Sequence, residues 1–145
     1  MPLQIEQSIA LICLFIWIGF VCSISFLEAW LKFRAPGVTV AIGLGIGRLV
    51  FHALNKVEWV FALTVTGGVL WNSTAFIAWP NFFLLLVLMI LITQTGWLLP
   101  RLDTRADLWI SGKPVTASNI HIYFIVAEIL KVVSLFIIGL HLIKR

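Results

Sequence analysis

The chain has 145 residues, 61% of them hydrophobic and only 11% charged, with a formal net charge of +4 and a mean hydropathy of +1.10. Soluble domains carry roughly 25% charged residues, so this composition excludes an ordinary soluble domain and predicts a single all-α polytopic membrane domain over residues 1–145. The basic residues stand beside apolar spans, which matches the positive-inside pattern of a membrane protein, and no nucleic-acid partner is expected.

A bilayer core takes about 20 apolar helical residues, and four segments meet that length, at about 9–30, 46–71, 76–99 and 120–143. The first holds Cys13 and Cys22, nine residues apart. On one helix they lie about 13 Å apart along the axis and cannot pair, so they read as small apolar packers. No Lys or Arg precedes this span and no small-residue cleavage site follows it, so a removable signal peptide is not expected. Pro36-Gly37 breaks the chain after it.

Gly43-Leu44-Gly45-Ile46-Gly47 comes next. It resembles part of a dinucleotide fingerprint but has no strand before it, so the glycines are read as a re-entrant or tightly packed turn. Arg48, His52 and Asn55 fall within about 60° of one another on a helix, with Lys56 and Glu58 flanking them and Thr66 further along the same face. This stripe either lines a site open to the cytoplasm or belongs to an interfacial helix before helix two, with charges among headgroups.

The link after span two carries the glycosylation triplet Asn72-Ser73-Thr74, too close to the membrane to be used. Pro80 falls in the first turn of span three, and Pro100 is expected to end that span. Residues 101–119 read as a solvated cytoplasmic loop with a short amphipathic helix. Span four runs through Glu128 and Lys131, one turn apart in an apolar stretch. Ionisable groups at membrane depth are rare and mark a functional or assembly site by default. His121 lies within about 80° of both on the helix wheel, and Glu128 and Lys131 are about 13 and 18 Å along the span. Gln94, Thr95 and Glu28 are candidate partners for the pair.

Lys and Arg counts set the orientation. Lys32, Arg34, Arg48, Lys56, Arg101, Arg105 and Lys113 lie on one side, and Lys144 and Arg145 on the other. Both termini are therefore expected outside. Trp30, Trp59 and Trp97 mark the inner boundary and Trp71 and Trp79 the outer one. Trp17 and Trp109 fall in neither belt. His52, His121 and His141 are the only histidines and are not expected to gather, so no metal site is read.

Several of these motifs carry resemblances. Trp17-Ile18-Gly19, Ala35-Pro36-Gly37, Gly47-Arg48 with Leu54-Asn55 and Glu58, and His121 with Glu128 and Lys131 together resemble a family of uncharacterised four-helix bacterial integral membrane proteins. That resemblance implies the bacterial inner (cytoplasmic) membrane and no particular activity. Arg48, Asn55 and Glu58-Trp59 also resemble the helix-two motif of the membrane-associated eicosanoid and glutathione metabolism (MAPEG) proteins. Those are four-helix trimers, and the resemblance implies glutathione held by Arg48, Asn55 and Glu58. The chain departs from that motif at Phe51, where the family carries a second Arg.

The leading expectation is a four-transmembrane-helix bundle that binds or conducts an ion or small molecule through Glu128, Lys131, His121, Arg48, His52, Asn55 and Glu58. It would need no cofactor, is not expected to be an enzyme, and would act in the bilayer as a homo-oligomer or beside a partner membrane subunit. The alternatives are an accessory or assembly subunit of a larger membrane complex, without turnover, and a MAPEG-like glutathione-dependent membrane enzyme.

Overall fold

The computed structural model describes the backbone over residues 5–71 and 79–144, and side chains over 8–68 and 81–144. The Asn72-Ser73-Thr74 triplet, Arg145 and the side chains of Trp71 and Trp79 lie outside the described residues. Within them the chain is all-helical, with four helices long and apolar enough to cross a membrane.

Helix α1 covers residues 5–34. It is α-helical over Ile5–Val21, widens to a π-helix over Cys22–Glu28, and closes through Ala29–Leu31 and a tight turn at Lys32–Arg34. Ala35 is extended, as the residue before a proline prefers, and Gly37 takes a left-handed φ of 81° that a side chain would oppose. Helix α2 is Val40–Trp71. Thr39 caps it, its hydroxyl accepting from the Ile42 N–H at 3.3 Å.

The glycines read as a turn are helical instead. Gly43 and Gly47 are buried where α1 closes on α2, and a methyl on Gly43 would overlap the Phe33 ring. No interfacial helix precedes helix two, because one continuous helix of 32 residues, about 48 Å long, contains both segments.

Helix α3 covers residues 79–110, as α-helix over Trp79–Thr93, π-helix over Gln94–Leu98 and α-helix over Leu99–Ile110. Pro100 does not end it. A proline lacks the N–H that bonds the carbonyl four residues back and crowds that carbonyl. Here the wide turn over Gln94–Leu98 re-routes the carbonyls upstream, so the helix runs on. The face shifts at this point, and the adjacent Leu98 and Leu99 are both buried. Gly112, at φ 69°, then stops the helix. Gly112 N–H bonds the Trp109 carbonyl at 3.2 Å and Lys113 N–H the Leu108 carbonyl at 3.0 Å, the paired closure of a Schellman end. Helix α4 is Ile120–Lys144.

The helices run up, down, up and down. Trp17 meets Glu58 and Phe61, and Phe33 meets Gly43, so α1 and α2 are antiparallel. Arg48 meets Asp107 while Asn55 meets Thr95, so α2 and α3 are antiparallel as well. Helix α4 packs on α1 and α3. The first and last helical residues therefore share one end, and the 35–39 and 111–119 connections share the other. We call the latter the basic end.

Each helix turns inward a stripe of residues three and four apart, the pattern of a bundle helix. The stripes are Leu14, Trp17 and Val21 on α1, Glu58, Ala62 and Val65 on α2, Leu84, Val87, Leu91 and Gln94 on α3, and Glu128, Lys131, Leu135, Ile138 and Leu142 on α4. Toward the chain ends they make one apolar core. Toward the basic end Leu98, Leu99, Ile120 and Phe124 make a second. The polar members of the stripes fall between the two.

In the first core the α1–α4 contact is tight, since a Cβ on Gly139 would stand 3.0 Å from Leu14 and 3.1 Å from Phe15. Gly139→Val is therefore expected to overpack the contact and destabilise by about 1–3 kcal/mol. A lower unfolding midpoint in mild detergent would show it, and an unchanged midpoint would mean that α1 and α4 separate freely.

Candidate functional site

Between the two cores lies a layer of acid, base and amide groups. Lys131 is fully buried, and Glu128 and Glu58 are 1% and 2% exposed. The Lys131 ammonium contacts Glu58 Oε1 at 2.5 Å and Glu128 Oε1 at 3.2 Å. Helix α1 supplies the Trp17 indole N–H, which donates to Glu58 Oε1 at 2.9 Å. Helix α3 supplies the Gln94 amide, which donates to Glu128 Oε1 at 2.7 Å. All four helices thus close on one cluster. Its charged groups are two carboxyls and one ammonium.

The Arg48, His52, Asn55 and Glu58 stripe leads to this cluster along α2. His52 Nε2 is 2.6 Å from Asp103 Oδ2, and Arg48 reaches Asp103 at 3.3 Å and Asp107 at 2.5 Å. One level deeper the Thr95 hydroxyl is 3.1 Å from Asn55 Oδ1 and receives the Trp59 N–H at 3.0 Å. From Arg48 to Glu58 the stripe rises about 15 Å. It faces α3 and then α4, with Arg48 and His52 partly exposed and Asn55 and Glu58 buried.

The two groups of residues read separately from the sequence, on α2 and α4, therefore meet at the Glu58–Lys131 contact. His121 does not join them. It is exposed at the start of α4, on an open cleft whose lining includes Lys32, Arg48 and Asp103. Glu28 is no partner of Lys131 either. It pairs with Lys32 one turn on, at 3.2 Å. No group of three or more His, Cys, Asp or Glu side chains gathers as a metal site among the described residues.

Three participants carried no clear signal in the sequence. Asp103 and Asp107 fell in the segment read as a solvated loop with a short amphipathic helix; the helix is there, but it continues the third helix past Pro100 and does not stand apart from it. Trp17 stood mid-span without a role, and its one signal was a polar N–H at an inward position, which needs an acceptor when buried. The Arg48–Asp107 pair is exposed enough for solvent to weaken it. Asp107→Asn is therefore expected to change stability by no more than about 1 kcal/mol, and a larger loss in a denaturant titration would show that this pair clamps α3 to α2.

The class defined by this fold and site is a four-helix bundle, with four helices long and apolar enough to cross a membrane and a buried acid–base layer at mid-height. Comparison of the chain with protein-family models, with curated proteins and with solved structures finds no significant match. The three residues that the MAPEG resemblance would place on glutathione, Arg48, Asn55 and Glu58, are each engaged by side chains of this same chain.

Proposed function

We propose that the protein is an integral membrane protein of a bacterial cytoplasmic membrane that binds or conducts an ion at the Glu58–Lys131–Glu128 layer. The carrying observation is the charge count. Two carboxylates share one ammonium in a site 0–2% exposed, and a buried charge without a counter-charge is strongly disfavoured. One further positive charge balances the layer, and that charge is the bound ion. The Arg48, His52 and Asn55 stripe gives it polar groups to approach along from the basic end.

Insertion is supported by the outward faces, where Leu49, Val60, Leu63 and Phe82 stand exposed, an apolar surface that lipid covers. The basic end would be cytoplasmic and both termini outside. A cysteine placed at the exposed Ser111 is expected to label only from the cytoplasmic side, and labelling from outside would invert the topology. All the layer's side chains come from one chain, so a homo-oligomer would multiply the site without being needed to build it.

The test is ion binding and flux in proteoliposomes with wild type and Glu128→Leu. That variant leaves the Lys131–Glu58 pair neutral, so the bundle is expected to fold while binding falls at least tenfold. Unchanged binding by the variant, or none by the wild type, would remove the proposal. A second reading, an accessory subunit without turnover, draws on the closure of the layer, since Lys131 is fully buried. It predicts co-purification with a partner membrane subunit and no flux.

A further inference from the structure

Two buried atoms of the layer, Glu128 Oε2 and Gln94 Oε1, have no hydrogen-bond partner among the described residues. They belong to the two side chains already joined by the 2.7 Å bond from Gln94 Nε2 to Glu128 Oε1. Every donor that reaches Glu128 lands on Oε1, namely the Gln94 amide and the Lys131 ammonium. None lands on Oε2. That asymmetry is what a neutral carboxylic acid shows, with one carbonyl oxygen that accepts and one hydroxyl that donates.

The carboxamide and the carboxyl are both planar. With the amide N–H on one carboxyl oxygen, both remaining oxygens are buried acceptors left without a donor, and a proton on Glu128 Oε2 would turn that oxygen into a donor. We propose that Glu128 is a carboxylic acid at neutral pH and that Glu128 Oε2 and Gln94 Oε1 together seat its proton. This rests on the reading of the layer as an ion site and identifies the ion as a proton.

The groups around Glu128 agree. Lys131 faces it from its own helix, Gln94 from α3, Glu58 from α2 across the ammonium, and Trp17 from α1 through Glu58. The ammonium is nearer Glu58, 2.5 Å against 3.2 Å, and the Trp17 N–H reinforces that same Glu58 oxygen. Glu58 and Lys131 thus form the ion pair, and Glu128 stays uncharged beside it. Loss of the proton would put a second carboxylate on one ammonium, so release of the proton is tied to arrival of another positive charge.

Infrared spectroscopy of the protein in lipid tests this. Wild type at neutral pH is expected to show one protonated-carboxyl C=O stretch that shifts down in D2O and is lost in Glu128→Gln. Gln94→Met, which removes the amide partner, is expected to move the band to higher frequency. Trp17→Phe, which removes the N–H donor to Glu58 and no bond to Glu128, is expected to leave it in place. A band that moves in Trp17→Phe and not in Gln94→Met would put the proton on Glu58 and overturn the assignment. So would a wild type without a band. Sodium and potassium binding on the same samples separates the two readings. Cation binding that depends on Glu128, without the band, removes the proton seat and keeps the ion site. Neither band nor binding removes both. Circular dichroism and gel filtration confirm that each variant is folded.

Discussion

Lys131→Met is expected to destabilise the bundle by about 3–5 kcal/mol, the usual loss when one member of a buried ion pair is removed. The ammonium has no surface to retreat to, because Lys131 is fully buried and its Nζ lies between Glu58 and Glu128. Methionine fills much of the same volume, so the loss is electrostatic and not a cavity. What remains is the Glu58 carboxylate, held by the Trp17 N–H without its counter-charge. The second substitution is the informative one. Adding Glu58→Gln to Lys131→Met neutralises the layer and is expected to recover most of the loss. Adding Glu128→Gln instead removes a group that is already neutral and is expected to recover little. Denaturant titration of the single and double variants in mixed micelles measures both. Equal rescue by the two glutamines would mean that the carboxyls share the ammonium evenly, against the 2.5 and 3.2 Å asymmetry.

The ingredients of this layer were legible in the sequence for a simple reason. An acid and a base inside an apolar run stand out against their background, as Glu128 and Lys131 do. A face that repeats polar groups three and four apart, as Arg48, His52, Asn55 and Glu58 do, shows its direction. The meeting of the two faces was not legible, because helix–helix register depends on packing that no single helix encodes. The partners on α3 were hidden by Pro100. A proline predicts a stop, and the wide turn over Gln94–Leu98 that carries the helix past it has no sequence signature. With the helix continued, Asp103 and Asp107 come against His52 and Arg48, and what read as a short amphipathic helix in a solvated loop becomes a wall of the site. The Gly43, Gly45 and Gly47 run misled in the opposite sense. Its glycines suggested a turn, while the structure uses Gly43 and Gly47 to bring α1 against an unbroken helix.

An all-apolar layer is expected to give a bundle about as stable as the natural one and with no ion binding. The variant joins Glu58→Met, Gln94→Leu, Glu128→Leu and Lys131→Met. Replacing a buried ion network by apolar residues of similar volume is commonly neutral or stabilising by about 1–4 kcal/mol. The opposing term is the Trp17 N–H, which loses its acceptor at a cost of about 1–3 kcal/mol. The two nearly cancel, so the unfolding midpoint is expected to move little while binding in proteoliposomes disappears. Partial replacements do not test this. Glu128→Leu with Lys131→Leu strands Glu58 as an unpaired buried carboxylate, so it confounds lost function with lost stability. Only the complete replacement separates a layer kept for its chemistry from one kept for packing. A stable variant that keeps full function would make the polar residues a packing device. A collapsed one would show that the ion pair and its amide and indole partners specify the register of the four helices, with the apolar cores on either side too uniform to do so alone.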